Sequence, residues 1–150
     1  MMGSKNDWDV MIKAQNALAE FGIESDMKVL SAHRAGDAVV ELVKDARNLG
    51  YGTIICGAGL AAHLAGVTAG CTTLPVIGVP LYSKYTGGID SLLATVQMPK
   101  GVPVATVAID GAGNAGILAA QILAVSDKAL AEKLADYKAK MTADVIAQNN

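Results

Sequence analysis

Residues 27–34 are Met-Lys-Val-Leu-Ser-Ala-His-Arg, an apolar segment followed by polar residues, and this stretch is the main indication of the fold. The apolar segment Met27–Leu30 is typical of a short strand, and it ends in the polar side chains of Ser31, His33 and Arg34. In a parallel α/β sheet, the loops at the carboxyl ends of the strands gather at one edge, where ligands bind. The sequence therefore predicts that these three residues face a ligand crevice.

Strand-like and helix-like segments alternate along the chain, which predicts an α/β fold with a parallel sheet covered by helices on both faces. The predicted strands cover residues 27–30, 53–56, 74–80 and 102–109. The predicted helices cover residues 7–21, 37–49, 61–69, 91–96, 114–123 and a C-terminal stretch capped by Ser126. We expect one domain over residues 1–150, with a first strand cut short because only Met1 and Met2 precede the first polar loop.

The composition excludes several classes of protein. Hydrophobic residues make up 52% of the chain and charged residues only 17%, so we expect apolar surface to be buried between subunits of a homo-oligomer. The net charge of −2 without a basic run argues against nucleic-acid binding. No apolar run is long enough for a membrane span. Cys56 and Cys71 have no metal-ligand spacing, and a cytoplasmic protein is the simplest interpretation.

Two other loops are predicted to reach the same edge. His63, the only other histidine, follows Gly57–Gly59 at the end of a buried strand. Ser4 and Asp7 have the spacing of a capping box at the start of the first helix. His33 can exchange protons near neutral pH, or it can be a core histidine with satisfied hydrogen bonds. Asp7 can bind ribose hydroxyls, or it can simply satisfy a helix N-terminus.

A glycine motif also allows a second interpretation. Residues 111–116 match G-x-G-x-x-G between a predicted strand and a helix, and residues 57–62 match the looser G-x-G-x-x-A. A dinucleotide site also needs an acidic residue about 20 positions further on, at the end of the next strand. Neither segment has one, so close packing of backbone is the favoured explanation for these glycines.

Several motifs in order resemble the N-carboxyaminoimidazole ribonucleotide mutase family (PurE) of purine biosynthesis. They are Met-Gly-Ser-Lys-Asn-Asp-Trp at 2–8, Ser-Ala-His-Arg at 31–34, Gly-Ala-Gly at 57–59, Ala-Ala-His-Leu at 61–64, Leu-Pro-Val-Ile-Gly-Val-Pro at 74–80, 90–99, 101–106 and Asn114 with its helix. The resemblance covers residues 2 to about 140. The forms at 31–34 and 61–64 are similar to the mutase branch rather than the branch that uses free CO2.

The resemblance implies a flavodoxin-like three-layer sandwich with a C-terminal helix, an octamer, a ribonucleotide substrate and no metal or organic cofactor. The reaction would move a carboxyl group from the exocyclic nitrogen of the imidazole to ring carbon 4, by loss and recapture of CO2. The implied catalytic residues are His33, as acid and base, and His63. The implied substrate-binding residues are Ser4, Asn6, Asp7, Ser31, Arg34, Ala58, Gly59 and Leu64.

The sequence also departs from the family pattern. The family usually has serine at Asn6, Thr-Pro at 35–36, glycine at Leu60 and proline at Ala65, and a longer turn before Asn114. The bulky Leu60 stands beside the implied carboxyl pocket. Two alternatives therefore stay open: a relative that carboxylates or decarboxylates aminoimidazole ribonucleotide or another nucleotide-like heterocycle, and a non-catalytic, nucleotide-binding oligomeric scaffold.

Overall fold

The computed structural model describes residues 1–149, and within them six α-helices surround a small parallel sheet. The helices are α1 (Trp8–Glu20), α2 (Gly36–Asp45), α3 (Leu64–Ala69), α4 (Ile89–Val96), α5 (Ala112–Ala124) and α6 (Lys128–Ala147). The strands are β1 (Ile54–Gly59), β2 (Val76–Leu81) and β3 (Ala105–Thr106), and a 3-10 turn covers Lys5–Asp7. No helix in this part of the chain combines the length and apolarity needed to cross a membrane.

The sheet runs β1-β2-β3 with parallel pairing throughout. Met2 extends it, because this residue forms parallel bridges to Val29 on one side and to Gly57 on the other. The backbone order is therefore Val29, Met2, β1, β2, β3, with Met2 in an inner position. This order, with buried apolar clusters on both faces, confirms the predicted α/β fold with a flavodoxin-like sheet.

The predicted strand at residues 27–30 is reduced to the single bridge at Val29. Met2 supplies its only partner there: Met2 N donates to Lys28 O at 2.9 Å, and Leu30 N donates to Met2 O at 2.8 Å. A ladder cannot be longer than its shorter strand, and within residues 1–149 this segment pairs with Met2 alone, so the pairing is one bridge long.

Two other strand predictions had wrong boundaries. β1 does not turn at Gly57 but continues to Gly59, because its backbone stays paired with β2 as far as Leu81. The predicted strand at 102–109 keeps only β3, since only Ile77 and Gly78 of β2 pair with it.

The helix boundaries also differ in places from the sequence prediction. α2 ends at Asp45 instead of near residue 49, and α3 begins at Leu64 instead of residue 61. α6 is capped by Asp127, whose carboxylate accepts from Leu130 N at 3.0 Å, and not by Ser126. The Ser126 hydroxyl instead donates to Leu123 O at 3.4 Å, which is within the preceding helix.

The G-x-G-x-x-G segment serves packing, as its sequence context suggested. Gly116 in α5 lies against α1, where a Cβ atom would stand 2.6 Å from the carbonyl oxygen of Ala14. Only glycine permits this approach of two helix backbones. The two helices thereby pack closely against each other over one face of the sheet.

Candidate active site

A cavity of about 340 Å³ opens at the edge of the sheet where β1 and β2 end. All eight substrate-binding residues expected from the sequence lie on its wall: Ser4, Asn6, Asp7, Ser31, Arg34, Ala58, Gly59 and Leu64. The wall also includes His33, Leu60, Leu81, Tyr82 and Ser83. Four separate loops therefore meet at the edge where the sequence predicts a ligand site.

The two histidines of the chain contact each other at this edge. His33 Nε2 and His63 Nδ1 are 2.8 Å apart, and the two rings meet edge to face at 89° with centroids separated by 4.9 Å. His33 lines the cavity, whereas His63, the residue before α3, is exposed and is not part of the cavity wall. The hydrogen bond uses Nε2 of His33 and leaves its Nδ1 without a protein partner within residues 1–149.

Arg34 is held by backbone and hydroxyl groups rather than by a carboxylate. Its Nη2 donates to Gly3 O at 2.8 Å, and its Nε donates to the Ser31 hydroxyl at 3.4 Å. The same hydroxyl accepts from Arg34 N at 3.3 Å. These contacts tie two loops together and place at the cavity wall a guanidinium that forms no ion pair within residues 1–149, an arrangement suited to a phosphate or carboxylate.

The N-terminal turn forms the predicted capping box. Ser4 N donates to Asp7 Oδ2 at 2.9 Å, and the Ser4 hydroxyl accepts from Asn6 N at 3.2 Å. Partial burial raises the pKa of the Asp7 carboxyl, against the opposing effects of the Ser4 N–H and of the charge on Arg34. The turn thus offers an acceptor close to the cation, as recognition of a sugar phosphate requires.

The wall at the end of β1 consists of small residues with one exception. Ala58, Gly59 and Ala61 leave room for a ligand, but Leu60 between them carries a bulky side chain. Leu60 has a φ of 55°, in the left-handed region that glycine favours, and 48% of its surface is exposed. Besides Asp110, it is the only non-glycine residue with positive φ within residues 1–149.

The sequence did not indicate that Tyr82 lines the cavity or that Asp110 holds its backbone. Tyr82 follows β2, lines the cavity, and its backbone N–H donates to Asp110 Oδ1 at 2.9 Å. Asp110 has a φ of 56° and is hydrogen-bonded to Pro80 O through its own N–H. An aspartate followed by Gly111 at a strand exit was the available signal, since aspartate tolerates this conformation.

A second cavity, of about 290 Å³, lies at the opposite edge, near the amino end of β1. The Met1 ammonium faces Ile55 O there at 2.6 Å, and burial lowers its pKa. Within the described residues, the buried Ser25 hydroxyl beside this cavity has no hydrogen-bond partner. This cavity lies away from the carboxyl ends of the strands, and its wall is mainly apolar. Both features argue against a nucleotide site.

Metal-ligating side chains do not cluster in the described part of the chain. Groups of three or more histidine, cysteine, aspartate or glutamate residues arranged to hold an ion are absent from residues 1–149. The chemical groups at the site are the His33–His63 pair, the Arg34 guanidinium and the Asp7 carboxyl group, around an open cavity.

Comparisons with known proteins identify the family of the chain. Residues 1–144 match the family model described as AIR carboxylase. The chain is 51% identical over 147 residues to the N5-carboxyaminoimidazole ribonucleotide mutase of Saccharolobus solfataricus, covering 98% of this chain and 93% of the relative. It is 51% identical over 152 residues to the Bacillus subtilis protein of the same name, covering 100% and 93%. Treponema denticola PurE superposes with a TM-score of 0.90 at 29% identity, covering 99% of this chain and 92% of that one. The chain belongs to the AIR carboxylase family.

Proposed function

We propose that this protein is an N5-carboxyaminoimidazole ribonucleotide mutase, an isomerase of purine biosynthesis. It moves the carboxylate of its substrate from the exocyclic nitrogen to carbon 4 of the imidazole ring. The curated relatives that carry this name match nearly the whole chain. The observation that carries the proposal is a histidine on the wall of a cavity that also presents an arginine held by a backbone carbonyl.

Substrate binding is assigned to the polar part of the wall. Arg34 and the hydroxyls of Ser4 and Ser31 hold the phosphate, and Asp7 accepts from the ribose hydroxyls. Ala58 and Gly59 leave space for the carboxylate where the backbone of β1 ends. This division places the negatively charged phosphate beside the guanidinium and the heterocycle beside His33.

His33 is assigned the proton transfers. Protonated His33 gives its Nδ1 proton to the exocyclic nitrogen, and the nitrogen–carbon bond of the carbamate breaks to release CO2. The ring carbon then attacks CO2, and neutral His33 takes the proton that this carbon carried, which restores the starting state. A positioned acid and base of this kind is worth typically 10²–10⁴-fold in rate.

His63 is assigned a supporting role through the 2.8 Å contact with His33. When His63 Nδ1 accepts from His33 Nε2–H, the exchangeable proton of His33 is confined to Nδ1, the nitrogen without a protein partner within residues 1–149. The nitrogen that carries the proton is commonly fixed by the bond that the other nitrogen makes.

The first test supplies N5-carboxyaminoimidazole ribonucleotide to the purified protein and, in a parallel reaction, aminoimidazole ribonucleotide with bicarbonate, both without ATP. We expect rapid formation of the 4-carboxy product from the first substrate only. Conversion of the second substrate alone would identify a carboxylase. A folded protein that binds the nucleotide and converts neither substrate would be a scaffold.

The variant His33→Asn separates binding from chemistry. We expect its kcat to fall roughly 10²–10⁴-fold, while its affinity for the product, followed by titration calorimetry, stays close to that of the parent. Gln97→Asn, an exposed substitution outside the cavity, is the control. Normal turnover by His33→Asn would remove this residue from the mechanism.

The protein is also proposed to work in the cytoplasm as a single-domain subunit of an octamer. Exposed apolar side chains on α4 and near the end of α6 support an oligomer.

A further inference from the structure

Tyr82 brings an aromatic side chain to the cavity wall at the end of β2. It directly follows Leu81, the last residue of the strand, and 61% of its surface is exposed. The other residues assigned to substrate binding are polar or small, so none of them offers a large flat apolar surface to a ligand. Tyr82 is therefore the wall residue best suited to contact a planar ring.

Two side chains hold the peptide group that precedes this ring. The hydroxyl of the fully buried Ser91 donates to Leu81 O at 2.7 Å. On the other side of the same peptide group, Tyr82 N donates to Asp110 Oδ1 at 2.9 Å. The backbone that carries the ring is thus fixed before a ligand arrives, and binding does not have to order it.

The order of the strands puts Tyr82 at the end of the cavity opposite the phosphate. Arg34, which is assigned the phosphate, comes after the outer segment at Val29, whereas Gly59, which is assigned the carboxylate, ends β1. Gly59 pairs with Leu81, so Tyr82 lies one strand further along the same edge. Three strand spacings of about 4.8 Å separate β2 from the Val29 segment, or roughly 14 Å. A ribonucleotide with its phosphate at Arg34 therefore directs its heterocycle toward Tyr82.

We propose that the ring of Tyr82 packs against the imidazole of the bound ribonucleotide and makes the cavity select ligands that carry a heterocycle over the bare sugar phosphate. This inference rests on the proposed mutase function. Aromatic rings and planar heterocycles attract each other by stacking and by removal of apolar surface from water. The contacts of Arg34 cannot supply this selectivity, because every ribose phosphate shares them.

The same loop contains a matched control. Tyr85 is three residues further along the chain and 74% of its surface is exposed, but it is not part of the cavity wall. Its ring instead lies 5.5 Å from Lys84 Nζ. Tyr85→Ala therefore removes an equal side chain from the same loop without touching the cavity.

The test compares two ligands that differ only at the heterocyclic end. Full-length protein, Tyr82→Ala, Tyr82→Phe and Tyr85→Ala are titrated with 4-carboxyaminoimidazole ribonucleotide in a calorimeter. The affinity for ribose 5-phosphate is then measured by competition with that nucleotide. The urea midpoint and the sedimentation of each variant show whether its fold and assembly are those of the parent.

We expect Tyr82→Ala to weaken nucleotide binding about tenfold, within the range for removal of a stacked aromatic ring. Its affinity for ribose 5-phosphate should stay unchanged. Tyr82→Phe should bind both ligands as the parent does, because it keeps the ring and loses only the hydroxyl. Tyr85→Ala should also bind both as the parent does.

Unchanged nucleotide affinity in Tyr82→Ala would overturn the inference while leaving the mutase function in place. An equal loss of affinity for both ligands would also overturn it and would give Tyr82 a structural role instead. A loss in Tyr82→Phe as large as that in Tyr82→Ala would assign the effect to the hydroxyl and exclude stacking. Failure of the parent protein to convert N5-carboxyaminoimidazole ribonucleotide would overturn the proposed function and the inference with it.

Discussion

Arg34 shows how much a single side chain contributes to this cavity. Its guanidinium is oriented by Gly3 O and by the Ser31 hydroxyl, so its planar donors are fixed before a ligand arrives. A lysine keeps the charge but has neither the fork of donors nor the same reach to these two acceptors. Arg34→Lys should therefore weaken binding of the phosphate more than it affects proton transfer.

We predict that Arg34→Lys raises KM about 10–100-fold, corresponding to the loss of roughly 1.5–3 kcal/mol from a charge-assisted hydrogen bond. Its kcat should change much less. Steady-state kinetics at saturating substrate separate the two quantities. Arg47, the only other arginine, donates to the Thr73 hydroxyl away from the cavity. Arg47→Lys should behave as the parent does, and an equal rise in KM for both variants would contradict the assignment.

For single residues, the sequence predicted which polar side chains face the cavity but not the backbone conformations around them. Ser31, His33 and Arg34 were predictable because they end an apolar segment, and such ends share one edge of a parallel sheet. Tyr82 was not, since its contribution depends on Asp110, which is 28 residues away in the chain. The left-handed conformation of Leu60 was not predicted either, because leucine itself does not favour it.

At the scale of the elements, the segment Met1–Met2 beside β1 brings a titratable amine into the fold. Met1 and Met2 lie between Val29 and β1, and the Met1 amine is inside the fold beside Ile55 O. Burial lowers the pKa of this amine from 8.0, with a smaller opposing effect from Cys56. The folded protein therefore favours the neutral amine at a pH where the unfolded chain favours the charged one.

The sign of the resulting pH dependence follows from proton counting. Between the folded pKa and 8.0, the unfolded chain binds more protons, so the free energy of unfolding rises with pH. We predict that the urea midpoint of the protein increases from pH 6 to pH 8 (roughly the ordinary pKa of an α-amine). Below the folded pKa this contribution no longer changes with pH.

A lengthened chain serves as the control for this prediction. Four residues, Met-Thr-Val-Thr, placed before Met1 replace the amine by a peptide bond and can extend into the neighbouring cavity of about 290 Å³. Lys28 N has no hydrogen-bond partner within residues 1–149 and would gain one there. The lengthened chain should be more stable and should lack the rise with pH, whereas the same rise in both chains would exclude Met1 as its source.

The strand boundaries were hard to predict because pairing, not local sequence, sets them. Thr53–Cys56 and the glycines after it differ in composition, yet β1 continues through Gly59 because β2 accompanies it. Conversely, residues 102–109 are as apolar as a full strand, and only Ala105–Thr106 find a paired neighbour. Hydrophobic periodicity identifies the existence of an element more reliably than its ends.

For the whole molecule, the prediction concerns assembly. α4 directs Ile89, Leu93 and Val96 to one exposed face, at spacings of four and three residues. A stripe of this kind on an isolated subunit indicates a contact with another protein surface. We predict that sedimentation velocity gives a particle eight times the 15.3 kDa mass of the chain.

The stripe itself can be tested by adding a charge. Leu93→Lys should dissociate the particle into smaller species, because an unpaired ammonium is costly to bury in an apolar contact. Leu49→Lys places the same charge on an exposed leucine in the turn after α2 and is the matched control. A monomeric parent protein would refute the octamer and leave the apolar surface of α4 without an explanation.

The inner position of Met2 also affects how the protein is made. Only 1% of Met2 is exposed, and its two neighbours in the sheet are Val29 and Gly57. On the ribosome, Met2 emerges before both of these neighbours and must wait until Gly57, more than fifty residues later, has been synthesised before the sheet can close around it. A charged affinity tag ahead of Met1 would have to leave through the apolar space beside Ile55. Recombinant protein should accordingly be tagged beyond α6, whose last turns are exposed.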